Sequence, residues 1–450
     1  MKKALFLLAL ILPAFLLSCG SSSSSSAPQI ASRAFVSQDV TAGAVSAGLL
    51  VIDADKDVRV AQAAIPAGAT PGMMVVTPNR VETLVFSPAG NNLALITNST
   101  EAPLTNITLP GFTESFVVSP DSQSAYVAVP NAPLTEQSPG IIEVVNPISG
   151  NVRAQVFCPP GNPRLPVCVY SPSLPQGSNL QYHYLAIGNS GNRVLAFSDN
   201  SNSVAVITPA NIGTSSPAIT FVDGFDRPVA GFFNSNDSTA YILNCGARCG
   251  GAQASVQILD LTAAVPVSGA SVAVPAATTA VVSGATMYVA GTPVPASPCT
   301  GQSTAATTCG LLTLVDLTSM TVVNPSPIVI TDGYHNRIAF GANGQLFIGA
   351  HSCTEIIPSV PPQHGEEIRG CLSIYNSLTT AVGTVPAGGV VIPAANGDVT
   401  GIQPIARRGV VYLVQGGELQ IYDASKDALL PKEKQIDISG EAVDVKTIDF

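Results

Sequence analysis

The chain has no tryptophan, and only 11% of its 450 residues are charged. Sugar-binding platforms commonly rely on tryptophan faces, so that class recedes at once. Basic residues are scarce: 19 stand against 29 acidic ones, a formal charge of −10. Nucleic acids and anionic lipids both need a basic face, and neither is expected as a partner. No long segment carries helical periodicity, and beyond the N-terminus no apolar run is long enough to span a bilayer. The nucleophile elbow G-x-S-x-G, the zinc motif H-E-x-x-H, the Walker A loop and G-x-G-x-x-G are all missing, so no reaction is written in the sequence. What remains is rich in glycine (39) and proline (36), together with Ser, Thr, Val and Ala. That composition builds strands and turns.

The N-terminus reads MKKALFLLALILPAFLLSCGSSSSSS. Lys2 and Lys3 precede an apolar stretch, Ala4 to Ser18, that is short for a membrane span. It ends in Leu16-Leu17-Ser18-Cys19, which resembles the lipobox of bacterial lipoproteins. The resemblance implies cleavage before Cys19 and acylation of its sulfur and new amino group. Residues 1–18 are then a signal peptide, and residues 19–33 a lipidated cysteine with a serine-rich tether. Gly20 in place of Asp points to the outer membrane of a cell with two membranes. The expected location is the cell envelope, anchored to the membrane through the lipid on Cys19.

Nine cysteines less the lipid-bearing Cys19 leave an even number in an exported chain. They fall as near neighbours: Cys158 and Cys168, Cys245 and Cys249, Cys299 and Cys309, Cys353 and Cys371. None has the paired C-x-x-C spacing of a zinc ribbon, and no C-x-x-C-H haem signature is present. Four local disulfides are expected, although spacing alone does not fix connectivity.

The strongest signal in the body is a repeat. A short apolar strand ending in a polar residue recurs roughly every 50 residues. It reads LLVIDAD from Leu49, NLALITN from Asn92, IIEVVNP from Ile141 and SVAVITP from Ser203. It continues as SVQILDL from Ser255, LLTLVDL from Leu311, CLSIYNS from Cys371 and ELQIYDA from Glu418. Other short strands flank each copy, such as AYVAV at Ala125 before it and a fourth ending near Gly68, Gly111, Gly224, Gly333, Gly397 or Gly440. Four antiparallel strands repeated radially predict an all-β fold, a single β-propeller over residues 34–450. The repeat count gives eight blades, with seven as the alternative if one unit is misread. RAFVS at Arg33 would pair with the spare C-terminal strand EAVDVKTIDF at Glu441 and close the ring. The repeat aspartates Asp53, Asp260, Asp316 and Asp423 are expected to close turns.

The stretch VVSPDSQSAYVAV followed by GIIEVVNPISGNV resembles the YVTN-type repeats of bacterial surface propellers, which are related to lactonase-like propellers. Ser122 stands where that family has a turn glycine, and Val129 where it prefers Asn. With strands lettered A to D from channel to rim, the D-to-A and B-to-C connections of a propeller share one face, the top. All four expected disulfides map to it.

Candidate chemistry gathers on the same face. Residues after the D-strand glycines should rim the channel mouth: Glu114 in PGFTE, Asp226 and Arg227 in DGFDR, and His335, Asn336 and Arg337 in DGYHN and just beyond, with Asp398 nearby. Such a ring suits a polar ligand or a divalent cation, calcium or zinc. The segment HSCTEIIPSVPPQHGEEIRGC brings His351, His364 and Glu366 into a Pro-rich B-to-C loop, and with His335 they form a speculative zinc set. Two functions follow. One is a non-catalytic binding or scaffold module whose top face takes a protein, a peptide or an envelope polymer. The other is a metal-dependent lactonase-like hydrolase with its cation at the channel mouth.

Overall fold

A computed structural model describes residues 30–40, 47–133, 140–157, 167–169, 181–198, 200–295, 308–324, 326–354, 370–393, 397–431, 434–438 and 440–449. Residues 1–29, which hold the expected signal peptide, Cys19 and most of the expected tether, lie outside these residues. The described chain forms eight four-stranded antiparallel sheets in a ring, two of them extended by one more short strand. The eight-blade count holds.

Ring closure follows the predicted route. The innermost strand of blade 1 is the C-terminal Glu441–Thr447, which pairs antiparallel with Arg33–Asp39, Ala34 facing Thr447 and Asp39 facing Glu441. Gly48–Asp53 and Val58–Arg59 complete that blade. The innermost strands of blades 2 to 8 are Met74–Val76, Ser115–Val118, Tyr182–Ile187, Pro228–Phe233, Thr279–Ser283, Tyr334–Phe340 and Val399–Pro404. Together with Glu441–Thr447 they wall the channel.

The core is divided among the blade junctions. Gly48–Asp53 is buried along its whole length because both its faces meet a neighbouring blade. Leu50 and Ile52 join the apolar cluster shared with blade 8, while Leu49 and Val51 join the one shared with blade 2. Period-2 alternation therefore sorts side chains between two dry interfaces, not between core and water. Each of the eight junctions holds one such cluster. Each fully buried Leu or Ile contributes about 2 kcal/mol.

Polar contacts lock the junctions on the face opposite the disulfides. Asp237 of blade 5 accepts the backbone N–H groups of Asn189 (2.8 Å) and Ser190 (2.7 Å) in blade 4. Asp57 of blade 1 takes the Arg408 guanidinium (2.5 and 2.7 Å) and the Tyr412 hydroxyl (2.6 Å) from blade 8. The repeat aspartates act locally, as expected. Asp260 accepts Thr262 N–H at 2.8 Å, Asp316 accepts Thr318 and Ser319 N–H at 2.8 and 2.9 Å, and Asp423 accepts Ser425 N–H at 2.9 Å. These are Asx turns. Ser122 holds a φ of 60°, the left-handed conformation of the turn glycine whose place it takes.

Candidate functional site

Four D-strand glycines, Gly68, Gly224, Gly333 and Gly397, share φ values of 97° to 102°, a corner that turns the chain from the rim back to the channel. At Gly333 a Cβ would also lie 2.4 Å from the His351 carbonyl oxygen, so a side chain is excluded twice over. These corners deliver the following residues to the top face.

There the aspartates serve as fasteners. Asp226 accepts the N–H groups of Ala252 (2.9 Å) and Gln253 (2.6 Å), just past the Cys245–Cys249 disulfide of its own blade. Asp398 of blade 8 accepts Ser352 N–H (2.7 Å), beside the Cys353–Cys371 disulfide of blade 7. Asp332, which is buried, accepts Thr354 N–H at 2.6 Å and the hydroxyls of Thr354 and Thr308. Thr308 belongs to the B-to-C loop of blade 6, next to the disulfide-bonded Cys309. Two of the predicted disulfides are thus seen directly. Cys299 and Cys158 lie outside the described residues, and of Cys168 only the backbone is described, in a short strand added to blade 3.

At the top of the channel lies a cavity of about 640 Å³. Among its lining residues are Glu114, Asn336, Arg337 and His351, and an aromatic set that includes Phe112, Phe232, Tyr184 and Tyr334. Glu114 stands 2.8 Å from His183 Nδ1, so the ring donates to the carboxylate and orients it. Asn336 Nδ2 donates to His351 Nε2 at 2.6 Å, which leaves the His351 hydrogen on Nδ1, 3.7 Å from Asp398. Burial holds the His351 pKa below the ordinary imidazole value, partly offset by Asp398. Arg337 donates Nε to the Thr400 carbonyl (2.7 Å) and Nη1 to that of Asn336 (3.1 Å).

The structure separates the remaining predicted residues. Asp226 and Arg227 do not line the cavity; the first is spent on its own B-to-C loop. His335 alternates inward into the wall and is fully buried. Its Nε2 lies 3.0 Å from the Thr331 carbonyl and so carries the hydrogen, while Nδ1 has no partner among the described residues. Burial pushes its pKa down to about 4, against the pull of the Thr331 carbonyl and Asp332 and with the help of Arg248. His364 and Glu366 lie outside the described residues. Among the described residues no three of His, Cys, Asp and Glu converge as a metal-holding group.

Sequence reading missed the aromatics. Tyr184 of blade 4 and Tyr334 of blade 7 bring their hydroxyls within 3.5 Å across the channel. Two of the lining aromatics follow a D-strand glycine, Phe112 in PGFTE and Tyr334 in DGYHN, but the same position in DGFDR, Phe225, packs into a blade junction, so the pattern alone does not mark the cavity.

No known family and no curated protein matches the chain. Among solved structures it is similar to a dihydro-heme d1 dehydrogenase, NirN, in complex with DHE, with TM-score 0.60 and 12% identity over 93% of this chain and 75% of that one. A 6-phosphogluconolactonase-like protein of Bacteroides fragilis matches at TM-score 0.48 and 12% identity, covering 93% and 98%. Hydrazine synthase of Kuenenia stuttgartiensis matches at 0.47 and 14%, covering 71% and 78%. The two weaker matches carry no functional argument, and the first is a likeness of fold alone.

Proposed function

We propose that the protein is a lipid-anchored envelope propeller, held to the outer membrane through Cys19, that binds a protein, peptide or envelope polymer on its top face without catalysis. The observation that carries this reading is the fastening of that face. Asp226, Asp332 and Asp398 tie the B-to-C loops of blades 5, 6 and 7 to the D-to-A corners, and disulfides close the loops of blades 5 and 7 on themselves. A loop surface ordered in advance loses less conformational entropy on association.

The test uses a soluble form beginning at Ser21, exported to an oxidising compartment. Peptides selected against it, and envelope polymers, are mapped by amide hydrogen exchange. Protection confined to top-face loops, and lost in an Asp332→Ala variant, supports the reading. Protection on the opposite face alone, or none with any binder, sinks it. The lactonase-like alternative needs a calcium or zinc ion at the channel mouth. One metal per chain by mass spectrometry, together with lactone turnover, would displace the binding-module reading.

A further inference from the structure

The cavity has two charged sides. Glu114 comes from blade 3 and Arg337 from blade 7, which stand opposite each other in a ring of eight. Between them the lining is largely apolar and includes the rings of Phe86, Phe112, Phe232, Tyr184 and Tyr334. Each charge keeps one unspent group. His183 is the partner of Glu114 Oε2, and Oε1 has none among the described residues. Arg337 commits Nε and Nη1 to carbonyls, which fixes the plane of the fork and leaves Nη2 for a ligand. Asn336 Oδ1, beside Arg337, is buried without a hydrogen-bond partner among the described residues. A buried acceptor of that kind costs about 1–3 kcal/mol unless a donor reaches it.

These features restrict the occupant. A simple anion meets Glu114, and a simple cation meets Arg337. A neutral apolar molecule would take water from Glu114 Oε1 and Arg337 Nη2 and return no partner to either. A dipolar molecule with an apolar body satisfies all three surfaces. His351 adds no positive charge at neutral pH, because burial holds it neutral. At about 640 Å³ the volume lies within the range of small-molecule sites and exceeds that of a single dipeptide.

We propose that the channel-mouth cavity takes a small zwitterion of the amino-acid or dipeptide class with an aromatic or large apolar side chain, its ammonium at Glu114 and its carboxylate at Arg337. The aromatic lining packs against the side chain, and the ammonium gains from the ring faces beside Glu114. This deepens the binding-module reading and rests on it.

The absence of tryptophan makes a direct test possible, since a tryptophan-containing ligand then supplies the only indole signal. The probe is alanyl-tryptophan, followed by fluorescence anisotropy, beside its N-acetylated form and its C-terminal amide. Saturable binding of the free dipeptide is expected, weakened tenfold or more by blocking either end. Glu114→Gln should weaken the free dipeptide and leave the N-acetyl form unchanged. Arg337→Lys keeps the charge but loses the fork, and should weaken the free dipeptide and spare the amide. Tm, measured alongside, separates misfolding from lost contact. No saturation, or equal binding of all three probes, overturns the inference. If the dipeptide fails while the top face still binds a larger partner, only the cavity assignment falls. If the dipeptide binds and no larger partner is found, the assignment stands and the scaffold reading falls.

Discussion

Arg33 grips Asp449 across the join between the two ends of the propeller, with Nε and Nη2 each 2.8 Å from a carboxylate oxygen. The Arg33 backbone N–H adds a third bond to Asp449 at 2.8 Å, and Nη1 reaches Glu101 of blade 2 at 2.6 Å. The Asp449 carboxylate raises the Arg33 pKa, so the guanidinium stays charged throughout. Both side chains are about one-fifth exposed, and solvent screening lowers the value of the pair. Arg33→Ala should cost about 1–3 kcal/mol, measured by urea denaturation. Asp449→Asn should cost less, because it keeps one acceptor. Equal stability of both variants and the native chain would mean that strand pairing alone closes the ring.

The two observed disulfides should differ in worth. Cys353–Cys371 closes a sequence separation of 18 residues and Cys245–Cys249 one of 4. On loop-closure entropy the first is worth about 3 kcal/mol and the second about 2 kcal/mol. Paired substitution by alanine, each compared with the oxidised native chain by denaturation, checks the order. A larger loss at Cys245–Cys249 would show that native packing, not chain entropy, sets the value.

Asp332 should act on two loops at once. Asp332→Ala leaves Thr308 and the Thr354 N–H without their shared acceptor, at a cost of about 2 kcal/mol. Faster limited proteolysis in the B-to-C loops of both blade 6 and blade 7 is expected. Cleavage in one loop only would show that the other is held by its disulfide.

Two buried groups titrate in opposite senses. Glu143, whose one hydrogen-bond partner among the described residues is the Gln155 amide at 2.7 Å, has its pKa raised from 4.5 to about 7 by burial. The folded chain holds that proton and the unfolded chain releases it, so stability falls as pH rises from 4.5 to about 7. Glu143→Gln should therefore gain on the native chain across that window by up to about 3 kcal/mol, then hold constant. A flat difference would mean that Glu143 ionises without penalty.

His335 behaves in the reverse way. Its folded pKa of about 4 lies below the ordinary 6.5, so the unfolded chain takes up the proton first. Stability should fall by up to about 3 kcal/mol as pH drops from 6.5 to 4. His335→Gln should remove that slope whatever its effect at pH 8. Persistence of the slope in the variant would assign acid sensitivity to another group.

The sequence offered eight blades, with seven as the alternative, and a closing strand; by itself it determined the repeat and the Asx turns at Asp260, Asp316 and Asp423. Each depends on alternation or on side chains bonding backbone two residues away, so a short window of chain contains the whole interaction. Asp226 shows where that legibility ends: its place after a D-strand glycine was readable, but its bonds to residues 252 and 253 were not. Only the tertiary structure decided that His335 turns into the wall while Asn336 and Arg337 face the channel. It alone joined Tyr184 to Tyr334 and Glu114 to His183, and it set Glu114 opposite Arg337. Those partners come from different blades, and their meeting depends on how many blades close the ring and at what radius. No local pattern encodes that.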